Sequence, residues 1–347
     1  MPSDVTSYRM YDQIQGQPAE LARLLAASEP VEEAATLLAG ASRVLTIGIG
    51  TSYNAAMAAA AMLSAAGLDA RAWSSHDFAM APPQLGGNDA AIVFSHTGRK
   101  QYSVSARTWL RQHEVPSVWV AGAEPDGDAS DVRVVLTTVS RETSSAYTVS
   151  HTAAMMLVAR LADAITPGAV GDIAAVPDAV AQALGSEGDV AALAAEWAGR
   201  STIYGVGAGA HEPAAHEIAI KVNEAARMRC RGYASEQFLH GPQAQVEPAE
   251  DTVVAFAGAD AASERTQTVA QFALDVGMPV AWVGATEGPA RTQPLLVPDV
   301  GEQLAAIVAL IPAQLLAAHL AAQRGVDADD FRLGEAAFKQ AFERYDL

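Results

Sequence analysis

The chain has 347 residues, half of them hydrophobic, and a formal net charge of −18. That length suits two domains of roughly 150 residues, each with a substantial core. The acidity argues against nucleic acid or an anionic membrane surface as the main partner, so a bound phosphate would need local donors rather than a basic field.

The opening residues, MPSDVTSYRMYDQIQGQP, lack the apolar core of a signal peptide, and a cytoplasmic location is expected. Residues 8–29 read as one or two helices, with a break at Gln17-Pro18, and 32–39 as another. Residues 44–49 form a short continuous apolar run, the mark of a parallel strand buried on both faces. Gly48, Gly50, Thr51 and Ser52 follow as a turn, then a helix over 53–66. Free backbone N–H groups and hydroxyls in such a turn make an anion seat, although a Ser or Thr there also suits helix capping. Strand-like runs recur at 69–73, 90–95, 115–121 and 132–138, with helices over 103–114 and 144–164. The strand at 90–95 runs into His96-Thr97-Gly98-Arg99-Lys100.

Segment 166–188 is rich in Pro, Gly and Ala and marks a join between domains. The theme then restarts. Strands are expected at 201–206, 251–257, 279–283 and 295–298, and helices over 213–227, 266–276 and 302–323. Pro213 suits a first helical turn and Gly325 a helix stop. The run 304–322 is greasy but holds Pro312, Gln314 and His319, so it reads as a buried helix rather than a membrane span. The tail, 327–347, looks like a short helix carrying Lys339. Strands alternating with helices imply parallel sheets covered on both faces. The expected layout is an N-terminal helical segment (1–33), two α/β units (34–168 and 193–325) joined by a linker (169–192), and a tail (326–347).

The most informative stretch is 215–242. Glu217, Lys221 and Glu224 sit at i, i+4 and i+7, one stripe of a helix whose other residues are largely apolar. Charges on a buried helix are costly unless they meet partners or a substrate. The row is either an ion-paired helix face or part of an acid–base site. His240 follows in a Gly-Pro turn, where it can face a cleft. A carboxylate, a cation and an imidazole suit proton transfer on a small polar substrate. Cys230 is the sole cysteine, so no intrachain disulfide forms, which fits a reducing compartment. Arg229 and Arg231 could activate it, but a plain thiol is the simpler reading.

These motifs resemble the SIS (sugar isomerase) family, above all the isomerase portion of glucosamine-6-phosphate synthase. MYDQIQGQP resembles the entry to that portion, GTSYNAAM and SHTG its two sugar-phosphate loops, and HEIAIKVNE with HGP its catalytic helix and turn. The likeness covers nearly the whole chain. It implies two tandem doubly wound SIS subdomains, flavodoxin-like and three-layered (α/β/α). It also implies a sugar-phosphate isomerase or a deglycase of fructosyl-amine 6-phosphates, without cofactor or metal. By the same resemblance, Gly50, Thr51, Ser52, Ser95, His96 and Thr97 fall on the phosphate seat. Glu224 falls on the carboxylate that moves the proton between the first two sugar carbons. Lys221 and Glu217 fall on its supporting pair, and His240 on the imidazole of ring opening. In the family that imidazole can come from a neighbouring subunit, so a homodimer with shared sites is expected. Glu142, Ser145 and Thr148 resemble a further substrate loop, with a possible one-turn offset in the helix after it.

Departures from the family pattern qualify this. Arg99 and Lys100 stand where Glu and Thr are usual, so Lys100 either adds a charge to the seat or is a solvated residue at a helix start. The synthase's imine-forming tail lysine falls on Ala336, with Lys339 three residues later. Pro2 stands where that enzyme's glutamine-hydrolysing domain carries its cysteine nucleophile, so that domain is expected to be absent. A sugar-phosphate sensor and an inactive partner subunit are the rival readings.

Overall fold

The computed structural model describes residues 2–126 and 129–345. Two N-terminal helices, α1 (Arg9–Ala26) and α2 (Val31–Ala39), lead into the first unit: β1 (Arg43–Gly48), α3 (Thr51–Ala65), β2 (Ala70–Ser74), α4 (Ser75–Met80), β3 (Asp89–Phe94), α5 (Gln101–Gln112), β4 (Ser117–Ala121), β5 (Val134–Thr137) and α6 (Val149–Ile165). Helices α7 (Val176–Leu184) and α8 (Glu187–Trp197) precede the second: β6 (Thr202–Gly207), α9 (Glu212–Ala226), β7 (Arg229–Ala234), α10 (Ser235–Phe238), β8 (Asp251–Phe256), α11 (Ser263–Asp275), β9 (Val280–Gly284), β10 (Gln293–Leu296), α12 (Glu302–Val308) and α13 (Leu310–Arg324). The last helix is α14 (Ala336–Tyr345); Asp346 and Leu347, included in the expected tail, lie outside the described residues.

All strand pairs are parallel. The sheets run β2-β1-β3-β4-β5 and β10-β9-β8-β6-β7. Read from its β7 edge, the second order repeats the first. Both are the doubly wound 2-1-3-4-5 order, whose crevice opens between the first and third strands, beyond their carboxyl ends.

Alternation along the strands builds the layers. Ala90, Ile92 and Phe94 of β3 face one cluster, while Ala91 and Val93 face another that is closed by Phe78, Ala106 and Leu110. The outer face of the second sheet is likewise closed by Phe238, Val269 and Ala273. The inner faces share one core with α1, α3, α6, α9 and α13, so the two units bury a common set of helices between them. The Glu302–Arg324 stretch has the length and apolarity of a membrane span. Its most apolar window is 94% buried inside the molecule, as expected of a core helix.

Two expectations are corrected. Pro18 does not break α1. Met10, Ile14, Gln17, Leu21 and Leu24 form one continuous buried stripe through it, and that packing offsets the hydrogen bond Pro removes. The helix expected over 302–323 is two, meeting at Ala309; Pro312 has no N–H to offer the carbonyl of Val308 four residues back. The Pro/Gly-rich join is largely helical, and Pro177 occupies the first turn of α7, where its missing N–H costs nothing.

Candidate active site

A cavity of about 360 Å³ opens at the carboxyl ends of β1 and β3, the switch point of the first sheet and within the usual 300–1,000 Å³ for small-molecule pockets. The turn after β1 forms one wall. Gly48 permits it, because a Cβ there would lie 2.1 Å from the carbonyl oxygen of Ser52. Gly50 takes φ +58°, a left-handed geometry that favours glycine. Gly50, Thr51 and Ser52 line the cavity, as do Ser95, His96, Thr97 and Lys100 from the loop after β3 and Ser145 from the loop before α6.

The second half repeats the turn and closes it. A Cβ on Gly207 would lie 2.5 Å from the carbonyl oxygen of His211, and Gly209 again has φ +58°. There, however, Ala210 and His211 replace Thr51 and Ser52. His211 is 1% exposed, with its ring 3.7 Å from Asp260. Duplicated folding thus yields one hydroxyl-lined mouth and one filled with side chains.

Helix α9 brings the acid–base groups to the open mouth. Lys221 is 1% exposed, and its Nζ donates to Glu224 Oε2 at 2.7 Å. Glu217 lies 3.6 Å from the same ammonium. Burial opposes the Lys221 charge, but Glu224 and Glu217 outweigh it and lift its pKa. Burial raises the Glu224 carboxyl above the usual range and Glu217 adds to the rise, while Lys221 pulls the other way. Lys221 and Glu224 line the cavity. Glu217 is fully buried behind them and accepts from Thr51 Oγ1 (3.0 Å) and Asn54 Nδ2 (2.7 Å).

Other predicted residues fall elsewhere. Thr148 is fully buried and its hydroxyl donates to Glu142, which also accepts from the N–H groups of Thr148 (2.9 Å) and Ser150 (2.7 Å). Thr148 therefore fixes the Ser145 loop instead of lining the cavity. His240 is 65% exposed, its Nε2 is 2.7 Å from Glu236, and it is not among the cavity residues of its own chain. Arg99 turns out to Asp126, whereas Lys100 lines the cavity and meets no carboxylate among the described residues. Burial, with Arg141 nearby, pushes His96 down to about 4, so the ring it presents to the cavity is neutral. Lys339 is exposed on α14. Burial pushes the Cys230 thiol far up, which makes it an inert core group. The sequence reading missed Thr138, Tyr147, His151 and Phe331, all on the cavity wall.

The SIS domain family matches the chain twice, over residues 37–162 and 198–324. The isomerizing glutamine–fructose-6-phosphate aminotransferase of Pyrobaculum aerophilum is 28% identical over 333 residues, covering 92% of this chain and 55% of that protein. The Gloeobacter violaceus enzyme of the same name is 27% identical over 316 residues, covering 85% and 51%. The chain therefore spans about half the length of these relatives. Among solved structures, the C-terminal domain of glucosamine-fructose-6-phosphate aminotransferase from Francisella tularensis superposes with a TM-score of 0.84 at 19% identity, covering 93% of this chain and 98% of that one. Tagatose-6-phosphate ketose/aldose isomerase from Escherichia coli gives 0.81 at 21% identity, covering 95% and 97%. With both of its α/β units matched, the chain belongs to the SIS domain family.

Proposed function

We propose that the chain is a sugar-phosphate isomerase or deglycase acting on a hexose or fructosyl-amine 6-phosphate. The observation that carries this is the hydrogen bond from buried Lys221 to Glu224 on the wall of a cavity whose mouth is ringed with hydroxyls. The phosphate docks over Ser52, Ser95 and Thr97, with Lys100 adding a positive charge. Glu224 then moves a proton between carbon 1 and carbon 2 through an enediol or enolamine; its raised pKa suits a base that must also give the proton back. For a fructosyl amine, hydrolysis of the enolamine releases the amine. Ring opening is assigned to the partner subunit's His240 in a homodimer, since His240 does not reach the cavity of its own chain. The exposed Lys339 favours a route without an enzyme imine.

The test is turnover of a panel of hexose and fructosyl-amine 6-phosphates by the wild type and by Glu224→Gln. Turnover by the wild type alone is expected. Undiminished turnover in the variant removes the assignment, and a phosphosugar bound tightly but never altered identifies a binding module instead.

A further inference from the structure

His151 is a buried titratable group on the cavity wall that the scheme above does not use. It stands in the first turn of α6, is 3% exposed, and neither ring nitrogen has a hydrogen-bond partner among the described residues. Its neighbours on that turn are satisfied: the Ser150 N–H donates to Glu142 and the Thr152 hydroxyl to Gln17 at 2.6 Å. Leaving a buried polar group unpaired is costly, and an imidazole orphaned on a cavity wall beside satisfied neighbours calls for a partner that arrives later. His151 lines the same cavity as Lys221 and Glu224. Burial keeps its ring neutral, and the charges acting on it are Glu217 and Lys221, both on α9, in opposite directions. This ties the imidazole to the acid–base end of the cavity.

Building on the sugar-phosphate reading, we propose that His151 is a catalytic residue: on substrate binding its ring turns to donate an N–H to the carbonyl oxygen of the open-chain sugar. Glu224 takes the proton from the adjacent carbon. The C–H pair becomes the carbon–carbon double bond, the carbonyl π pair moves onto oxygen, and the imidazole keeps its own proton while the hydrogen bond strengthens. A neutral imidazole suits this role, because it polarises a carbonyl without first losing a charge. The cavity thus holds an electrophile of its own, separate from the ring-opening role given to His240.

The test compares His151→Phe, similar in size but without a donor, with His151→Gln, which keeps one. His151→Phe should lower kcat about 10²–10³-fold, the usual cost of an oxyanion donor, with KM little changed, and His151→Gln should recover part of the loss. A second readout uses binding alone. The wild type should hold a sugar-phosphate hydroxamate, planar like the enediolate, more tightly than a hexitol 6-phosphate, and His151→Phe should erase that preference. Wild-type kcat in a folded His151→Phe, or a hydroxamate preference that survives it, overturns the role of His151. If Glu224→Gln is inactive at the same time, the functional reading stands; if Glu224→Gln is fully active, that reading fails as well.

Discussion

Thr51 and Glu217 are 166 residues apart and joined by a 3.0 Å hydrogen bond. Thr51 begins α3, in the hydroxyl turn of the first half, and Glu217 lies on α9 of the second. Asn54, one turn further along α3, donates to the other Glu217 oxygen at 2.7 Å. The carboxylate thus locks the hydroxyl turn of one unit to helix α9 of the other. A shift of either helix breaks a buried, charge-assisted bond, so the distance between the hydroxyl turn and the Lys221–Glu224 pair is set by the core.

Replacing Lys221 with Met should destabilise the protein strongly. Breaking a buried ion pair costs about 3–5 kcal/mol because the orphaned charge stays behind. The lower end is expected, since Thr51 and Asn54 still donate to Glu217 and Glu224 is 29% exposed. Denaturant unfolding reads this, and adding Glu217→Gln should return part of the loss. A Lys221→Met protein as stable as wild type contradicts the pairing.

Acid should weaken the fold through His96. Its folded pKa of about 4 lies below the ordinary 6.5. Between those values the unfolded chain binds a proton that the folded chain refuses. Stability is therefore full above pH 6.5 and falls as pH drops toward 4, by at most about 3 kcal/mol from this group. Unfolding curves across that range should show the loss, and His96→Gln should flatten it.

Much of this was legible in the residues, and the failures share a cause. Continuous apolar runs announced the central strands, which are buried on both faces. The edge strand β7 was missed because two of the six residues in RCRGYA are charged and no Gly or Pro sets it off from α9; the chain turns through Arg227 at φ +48°. Glu217, Lys221 and Glu224 were correctly placed on one helix, because 3.6-residue periodicity fixes that locally. Where each side chain ends up depends on the other half of the molecule. Sequence spacing could not show that Glu217 would be drawn to Thr51, that Thr148 would serve Glu142, or that His240 would face solvent. His151 carried one signal, a lone imidazole in an otherwise apolar helical run.

Lys100 and Arg99, adjacent in sequence, should behave differently. Lys100→Met should raise KM for a phosphorylated substrate several-fold with little effect on kcat, as expected when binding is lost equally from ground and transition states. Arg99→Met should leave both nearly unchanged, since Arg99 is paired with Asp126 outside the cavity. Equal effects of the two substitutions contradict the assignment.

The proposed sharing of sites between subunits predicts complementation. Glu224→Gln and His240→Asn should each be inactive as pure proteins. Mixing them under conditions that exchange subunits should restore activity, because a mixed dimer regains one site with both native groups. Failure to recover while mixed dimers are shown to form means that His240 does not act across an interface.

The most direct measurement is hydrogen exchange at the sugar. In deuterated water, NMR of hexose and fructosyl-amine 6-phosphates should show the wild type placing deuterium at carbon 1 or carbon 2 of at least one of them. The Glu224→Gln protein, folded and still binding that sugar, should not. Equal incorporation by both proteins, or none by the wild type across the whole panel, would contradict proton transfer by Glu224.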